Sequence, residues 1–196
     1  HQRCRTSAAS QIDNSARFTR NLRDSSSVDQ RSGVSARFAI AGAETIAAAA
    51  LHRAATQGEK EPVARVVDLV TAVDVLGGKI EFESGEEGRK TELLTHLLRT
   101  ATVETVREHF RGIDFALLVE AIEEGSMIST GERMTASDFL AGLPVLGESD
   151  LYEQVFERLG ATGEGNRAAA MELALEGLYL ARKIGKDTEG GETVYG

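Results

Sequence analysis

Residues Val28 to Arg37 read VDQRSGVSAR and run directly into the alanine-rich stretch FAIAGAETIAAAALHRA. An arginine placed where a helix begins meets the positive pole of the helix dipole, which favours acidic side chains, so Arg37 calls for a compensating anion. A phosphate group is the anion that suits both the helix pole and a guanidinium fork. Arg31 lies six residues earlier and is a second, weaker candidate for a phosphate or for a neighbouring subunit. Gly33 permits a sharp entry into the helix, and Ser32 or Ser35 can cap it. An alternative use of Arg37 is a surface ion pair with Asp29 or Glu44, a contact worth at most about 1 kcal/mol.

The stretch resembles the sensor-2 segment of AAA+ ATPases of the magnesium chelatase subunit I group, in which an arginine opening a lid helix reaches the phosphates of a bound nucleotide. The segments that follow, RVVDLVTAVDVLGGKIEFE and the acidic helical stretches beyond, look like magnesium chelatase-like ATPases of the actinobacterial type. The resemblance covers most of the chain. It implies that Arg37 acts on the γ-phosphate of ATP as the catalytic and nucleotide-binding residue of this region, with Arg31 as a second nucleotide-binding candidate. It also implies ATP and Mg2+ as cofactors, a homo-oligomeric ring, and a partner carrying a von Willebrand A domain. In that setting a guanidinium would stabilise charge developing on the transferred phosphoryl group, and the output would be remodelling or metal insertion in a partner.

No GxxxxGK[ST] loop occurs in the sequence, and no apolar strand ends in Asp-Glu, so the phosphate-cradling core is expected outside these residues. The chain opens on His1, and the reading is therefore of a C-terminal lid region whose ATPase core precedes it. The alternative is a stand-alone helical interaction module with no nucleotide dependence, in which Arg37 is replaceable.

Composition narrows the function classes. The chain has 196 residues, 41% of them hydrophobic, with 20 glycines and only 2 prolines, which favours helices joined by glycine turns. Cys4 is the sole cysteine, which excludes an internal disulfide and a multi-cysteine zinc site. His1, His52, His96 and His109 are scattered without a close pair at helical spacing, so no metal site is expected. No run of apolar residues is long enough to span a bilayer, and a cytoplasmic location is expected. Residues 1–33 carry six arginines against three aspartates, within a chain of net charge −9. The acidic remainder argues against nucleic acid as a partner, and the arginines are not interleaved with aromatics.

The elements that would position Arg37 follow from hydrophobic spacing. A mainly α fold is expected: an AAA+ lid-type helical bundle over residues 1–78, a second helical unit over 79–184 with at most a small β-hairpin, and a flexible tail over 185–196. Within the lid, helices are predicted at Ala8–Arg23, at about Ser35–Ala55 with Phe38, Ile40, Ile46 and Leu51 buried, and at Pro62–Leu76, where valines recur at three and four. Lys79–Glu83 alternates as a short strand would. The second unit contains TELLTHLLRTATVETVREHF and FALLVEAIEE as helices, and a hairpin about Thr130-Gly131-Glu132. Capping-box starts are expected at Thr135 and, more firmly, at Asp150. The glycine-rich loop 160–165 precedes a last helix, Arg167–Lys183.

Overall fold

The computed structural model describes residue 17, residues 36–69, residue 73 and residues 90–196, with backbone alone at 36–39 and 90. These residues form a mainly helical fold with a small three-stranded antiparallel sheet. The predicted helix Ala8–Arg23 lies outside the described residues except for Arg17, which is helical and pairs with Glu108. The predicted strand Lys79–Glu83 also lies outside them.

Helix α1 spans Ala36–Gln57. Its buried positions are Gly42, Ile46, Ala50, Arg53 and Ala54, one stripe at the three- and four-residue spacing that keeps a single helix face inward. Ile40 and Leu51, expected in the core, are instead 57% and 59% exposed. At about 100° per residue, Leu51 lies about 140° around the helix from Ile46, so both cannot face the same neighbour. Alanines fill so much of α1 that composition alone does not select its inner face. Gly58, at φ +71°, ends the helix, and the Glu59 amide donates to the Ala54 carbonyl at 2.9 Å, closing a left-handed cap.

The chain then runs irregularly through Pro62 and is helical at 66–69 and at 73. The helix predicted from Pro62 therefore starts four residues later, just after Arg65, whose amide is bonded to Asp68. Helix α2, Lys90–His109, follows, then α3, Ala116–Glu123, strand β1, Ile128–Gly131, and α4, Ala136–Ala141. Helices α5, Leu151–Leu159, and α6, Glu164–Leu180, precede the strands β2, Lys186–Glu189, and β3, Glu192–Tyr195.

Every residue from Ala168 to Gly177 of α6 is buried. Apart from Glu172 and Glu176, that stretch is apolar on all sides, as expected of a helix enclosed by neighbours. Helices α2, α4 and α5 pack around it, and the main core gathers Leu118, Ile122, Ile128, Phe139, Val155, Met171, Leu175 and Tyr195. A second, smaller core joins Ile46 of α1 to Leu69, Val73, and Leu94 and Ala101 of α2. Helix α2 thus serves both cores, because Phe110 just beyond it and Val106 within it contact the main one.

The sheet has the order β1-β3-β2. Ile128 pairs with Tyr195 and Thr130 with Thr193, while Lys186 pairs with Tyr195 from the other side. The Gly190-Gly191 turn, at φ +60° and +84°, makes the tight hairpin that two adjacent glycines allow. Two expectations change here. The strand at 128–131 pairs not with the residues just after it but with β3, and the segment expected as a flexible tail supplies two of the three strands. Alternation in KDTEGGETVY is masked by its polarity, since only Tyr195 is deeply buried. The last helix also starts three residues before its predicted start, enclosing Gly165, where an added Cβ would sit 2.8 Å from Val63 Cγ2. That glycine permits a close approach between α6 and the segment after α1.

Candidate functional site

The predicted phosphate-contacting residue, Arg37, is the second residue of α1, and that helix has no acidic side chain in its first turn. The positive pole of α1 is therefore not neutralised from within its own opening turn. Arg31 lies outside the described residues. The structure places Arg37 at the expected helix start.

At the other end of α1 lies a cluster of buried charge. Arg53, 3% exposed, donates through Nε and Nη2 to the two oxygens of Asp68 at 3.3 and 3.0 Å. It also donates through Nη1 to Glu59 Oε2 at 2.8 Å and through Nη2 to the Val63 carbonyl at 2.6 Å. Burial alone would lower its pKa, but the hydrogen bond and charge of Asp68, with Glu59 and Glu172 behind it, outweigh this and raise it. Asp68 in turn accepts the Arg65 amide at 2.8 Å.

The Arg65 side chain crosses to the C-terminal body. It is fully buried and donates to Glu172 Oε1 through Nε at 2.9 Å and through Nη2, to the Met134 carbonyl at 2.7 Å, and to Thr130 Oγ1 at 2.9 Å. The Thr130 hydroxyl in turn donates a hydrogen bond to Glu172 Oε1, and Glu172 Oε2 accepts the Val66 amide at 3.2 Å. Phe139 lies under the guanidinium, 5.7 Å from its ring centre. One turn further along α6, Glu176 Oε2 accepts Lys186 Nζ at 2.7 Å and the Tyr195 hydroxyl at 2.8 Å. Burial first, and then the charge and hydrogen bond of Glu176, push the Tyr195 phenol upward.

Each guanidinium nitrogen of Arg53 and Arg65 is thus engaged, which makes these buried charges a fastening and not a reactive centre. Sequence reasoning passed over them. The available signal was AAAMELALEGLYL: two glutamates four apart inside a run otherwise apolar on every side can only be buried together, and buried carboxylates need cations.

Two clefts flank the sheet. One, of about 730 Å³, is bordered by Glu132, Asp138, Asp187, Glu189 and Glu192 with Arg133 as its only cation. Such a lining repels a polyanion, so it is no site for nucleotide phosphates. The other, of about 440 Å³, lies between α2 and the sheet, with Thr102, Thr130, Thr193 and Lys186 among its walls. Among the described residues no three His, Cys, Asp or Glu side chains are grouped to hold a metal ion, and no helix is long and apolar enough to cross a membrane. Comparison of the chain with protein-family models, with curated proteins and with solved structures finds no match.

Proposed function

We propose that this chain is the lid region and helical extension of a magnesium chelatase-like AAA+ ATPase, acting in the cytoplasm as part of a homo-oligomeric ring. Arg37 contacts the γ-phosphate of ATP, bound with Mg2+ in a core outside these residues, and Arg31 assists at the phosphates or at a neighbouring subunit. The lid converts nucleotide state into movement, which drives remodelling or metal insertion in a partner carrying a von Willebrand A domain.

The observation that supports this reading is the continuity of α1. It runs unbroken from Ala36 to Gln57, with Arg37 in its opening turn and Arg53 fastened by buried ion pairs near its end. The two arginines are sixteen residues apart, about 24 Å along a helix axis. A helix of that length, anchored at one end by charges that are costly to separate, behaves as a lever. Displacement of Arg37 by a phosphate is then delivered to the base of the helix.

The test is ATP turnover by the full-length polypeptide beside its Arg37→Ala variant, at saturating Mg2+, with folding checked by circular dichroism. A loss of tenfold or more, about 1.4 kcal/mol of transition-state stabilisation, is the expected result. Unchanged turnover, or the absence of ATPase activity in the full-length polypeptide, would refute the nucleotide-linked reading and leave a helical interaction module.

A further inference from the structure

The buried charges divide the molecule into two parts. One part is built on the small core: α1, the segment 59–69, and the first half of α2 through Leu94 and Ala101. The other is the body around α6, which includes Val106, Phe110, β1, α4 and α5. Helix α2 runs through both. Away from α2, a compact set of polar contacts crosses between the parts among the described residues. Arg65 reaches Glu172, Thr130 and the Met134 carbonyl, Glu172 accepts the Val66 amide, and Glu59 Oε1 accepts the Ala136 amide at 2.7 Å. Beside them, among the described residues, Val66 packs on the main core and Val63 approaches Gly165 closely.

We propose that this arrangement is a latch: the Arg65–Glu172–Thr130 cluster holds the α1 part closed on the body, and when it opens the α1 part pivots about α2 while the body stays folded. Apolar contacts spread over a broad face resist separation gradually, whereas a compact set of charge-assisted hydrogen bonds is either made or lost. Glu172 is the centre of the latch, because its two oxygens receive Arg65, Thr130 and the Val66 amide together. Gly58 and the irregular residues up to Arg65 supply slack between α1 and the fastening point. This inference does not depend on nucleotide binding.

The test is hydrogen–deuterium exchange on the intact chain, comparing wild type with Glu172→Gln and Thr130→Val. Both substitutions keep side-chain volume close to the original; the first removes the carboxylate charge, the second only the bridging hydroxyl. The expected pattern is at least tenfold faster exchange over residues 42–69 in Glu172→Gln and a smaller acceleration there in Thr130→Val. Amides of 105–110 and 164–180 should keep wild-type protection in both. Uniform acceleration across the chain would show one cooperative unit and overturn the latch, as would unchanged exchange over 42–69. If Glu172→Gln does not fold, Thr130→Val decides alone by the same two patterns.

Discussion

Gly177 sits on the buried face of α6 where α2 crosses it, and the space there is occupied. A Cβ added at Gly177 would lie 2.5 Å from Val106 Cγ1, 2.8 Å from Cγ2 and 3.2 Å from Val106 Cβ. Carbon atoms in ordinary contact stand about 3.5–4.0 Å apart, so Gly177→Ala requires Val106 to retreat by roughly 1 Å. Overpacking of this kind costs about 1–3 kcal/mol. Against it stands a gain of about 1 kcal/mol, because alanine is the better helix former. The net expectation is a loss of about 1 kcal/mol, or 2–4 °C in Tm for a chain of this length.

The sharper expectation is a change of sign. With Val106→Ala already in place both methyls are gone, and only the 3.2 Å approach to the Cβ of residue 106 remains. In that background Gly177→Ala should be neutral or stabilise by up to about 1 kcal/mol, giving a coupling energy between the two sites of about 1–2 kcal/mol. Urea denaturation followed by far-UV circular dichroism, with all four members of the cycle showing the same m-value, measures this directly. A Gly177→Ala variant that stabilises equally in both backgrounds would refute the packing of α6 on α2.

Thr135 caps α4 by accepting the Asp138 amide at 3.0 Å, so Thr135→Ala should cost about 1 kcal/mol in the same urea assay. Asp150, which begins α5 without a side-chain cap bond and instead accepts Gln154 Nε2, should tolerate Asp150→Ala within about 0.5 kcal/mol. Burial raises the Tyr152 phenol from its usual value to about 12. The folded state holds that proton more tightly than the unfolded state, so its contribution is full below about pH 10 and is lost as the pH rises towards 12. Tm measured across that window should fall less steeply in Tyr152→Phe than in wild type, and equal slopes would refute the assignment.

How much of this molecule could be read from the chain depended on how each residue signals its neighbours. The helices that became α1 and α2 were legible because glycine, or a polar cluster, bounds a stretch of strong helix formers, and α1 begins within one residue of its predicted start. Thr135 was legible as a cap because its partner lies three residues away. Asp150 was legible as the start of α5, but its side chain makes no capping bond, because its backbone, at φ −94° and ψ 15°, is not in the extended conformation usual for a cap. The inner face of α1 was partly illegible: alanine leaves little contrast between faces, so Ile40 and Leu51 were placed inward when the stripe of Gly42, Ile46 and Ala50 faces in. Of the sheet, the strand at 128–131 was legible, but its partners KDTE and ETVY were missed because the pairing is non-local and those strands are polar. The buried charges were missed for a related reason: the glutamates of α6 signal a need for cations, but Arg65 stands 107 residues from Glu172, and nothing near either names the other.

The order β1-β3-β2 also has a consequence in time. Ile128 waits for Tyr195, which leaves the ribosome 67 residues later. At about 5–20 residues per second, β1 spends roughly 3–13 s with both edges unpaired during each synthesis. Its sequence is ISTG, one large apolar residue followed by two hydroxyls and a glycine, a poor template for pairing with another chain. A more hydrophobic strand would be exposed to wrong partners throughout that interval, and it would not fit the finished sheet either, where Thr130 bonds Glu172 and a Cβ at Gly131 would lie 2.6 Å from the Gly191 carbonyl oxygen. The modest composition of β1 thus suits the nascent chain as much as the folded one.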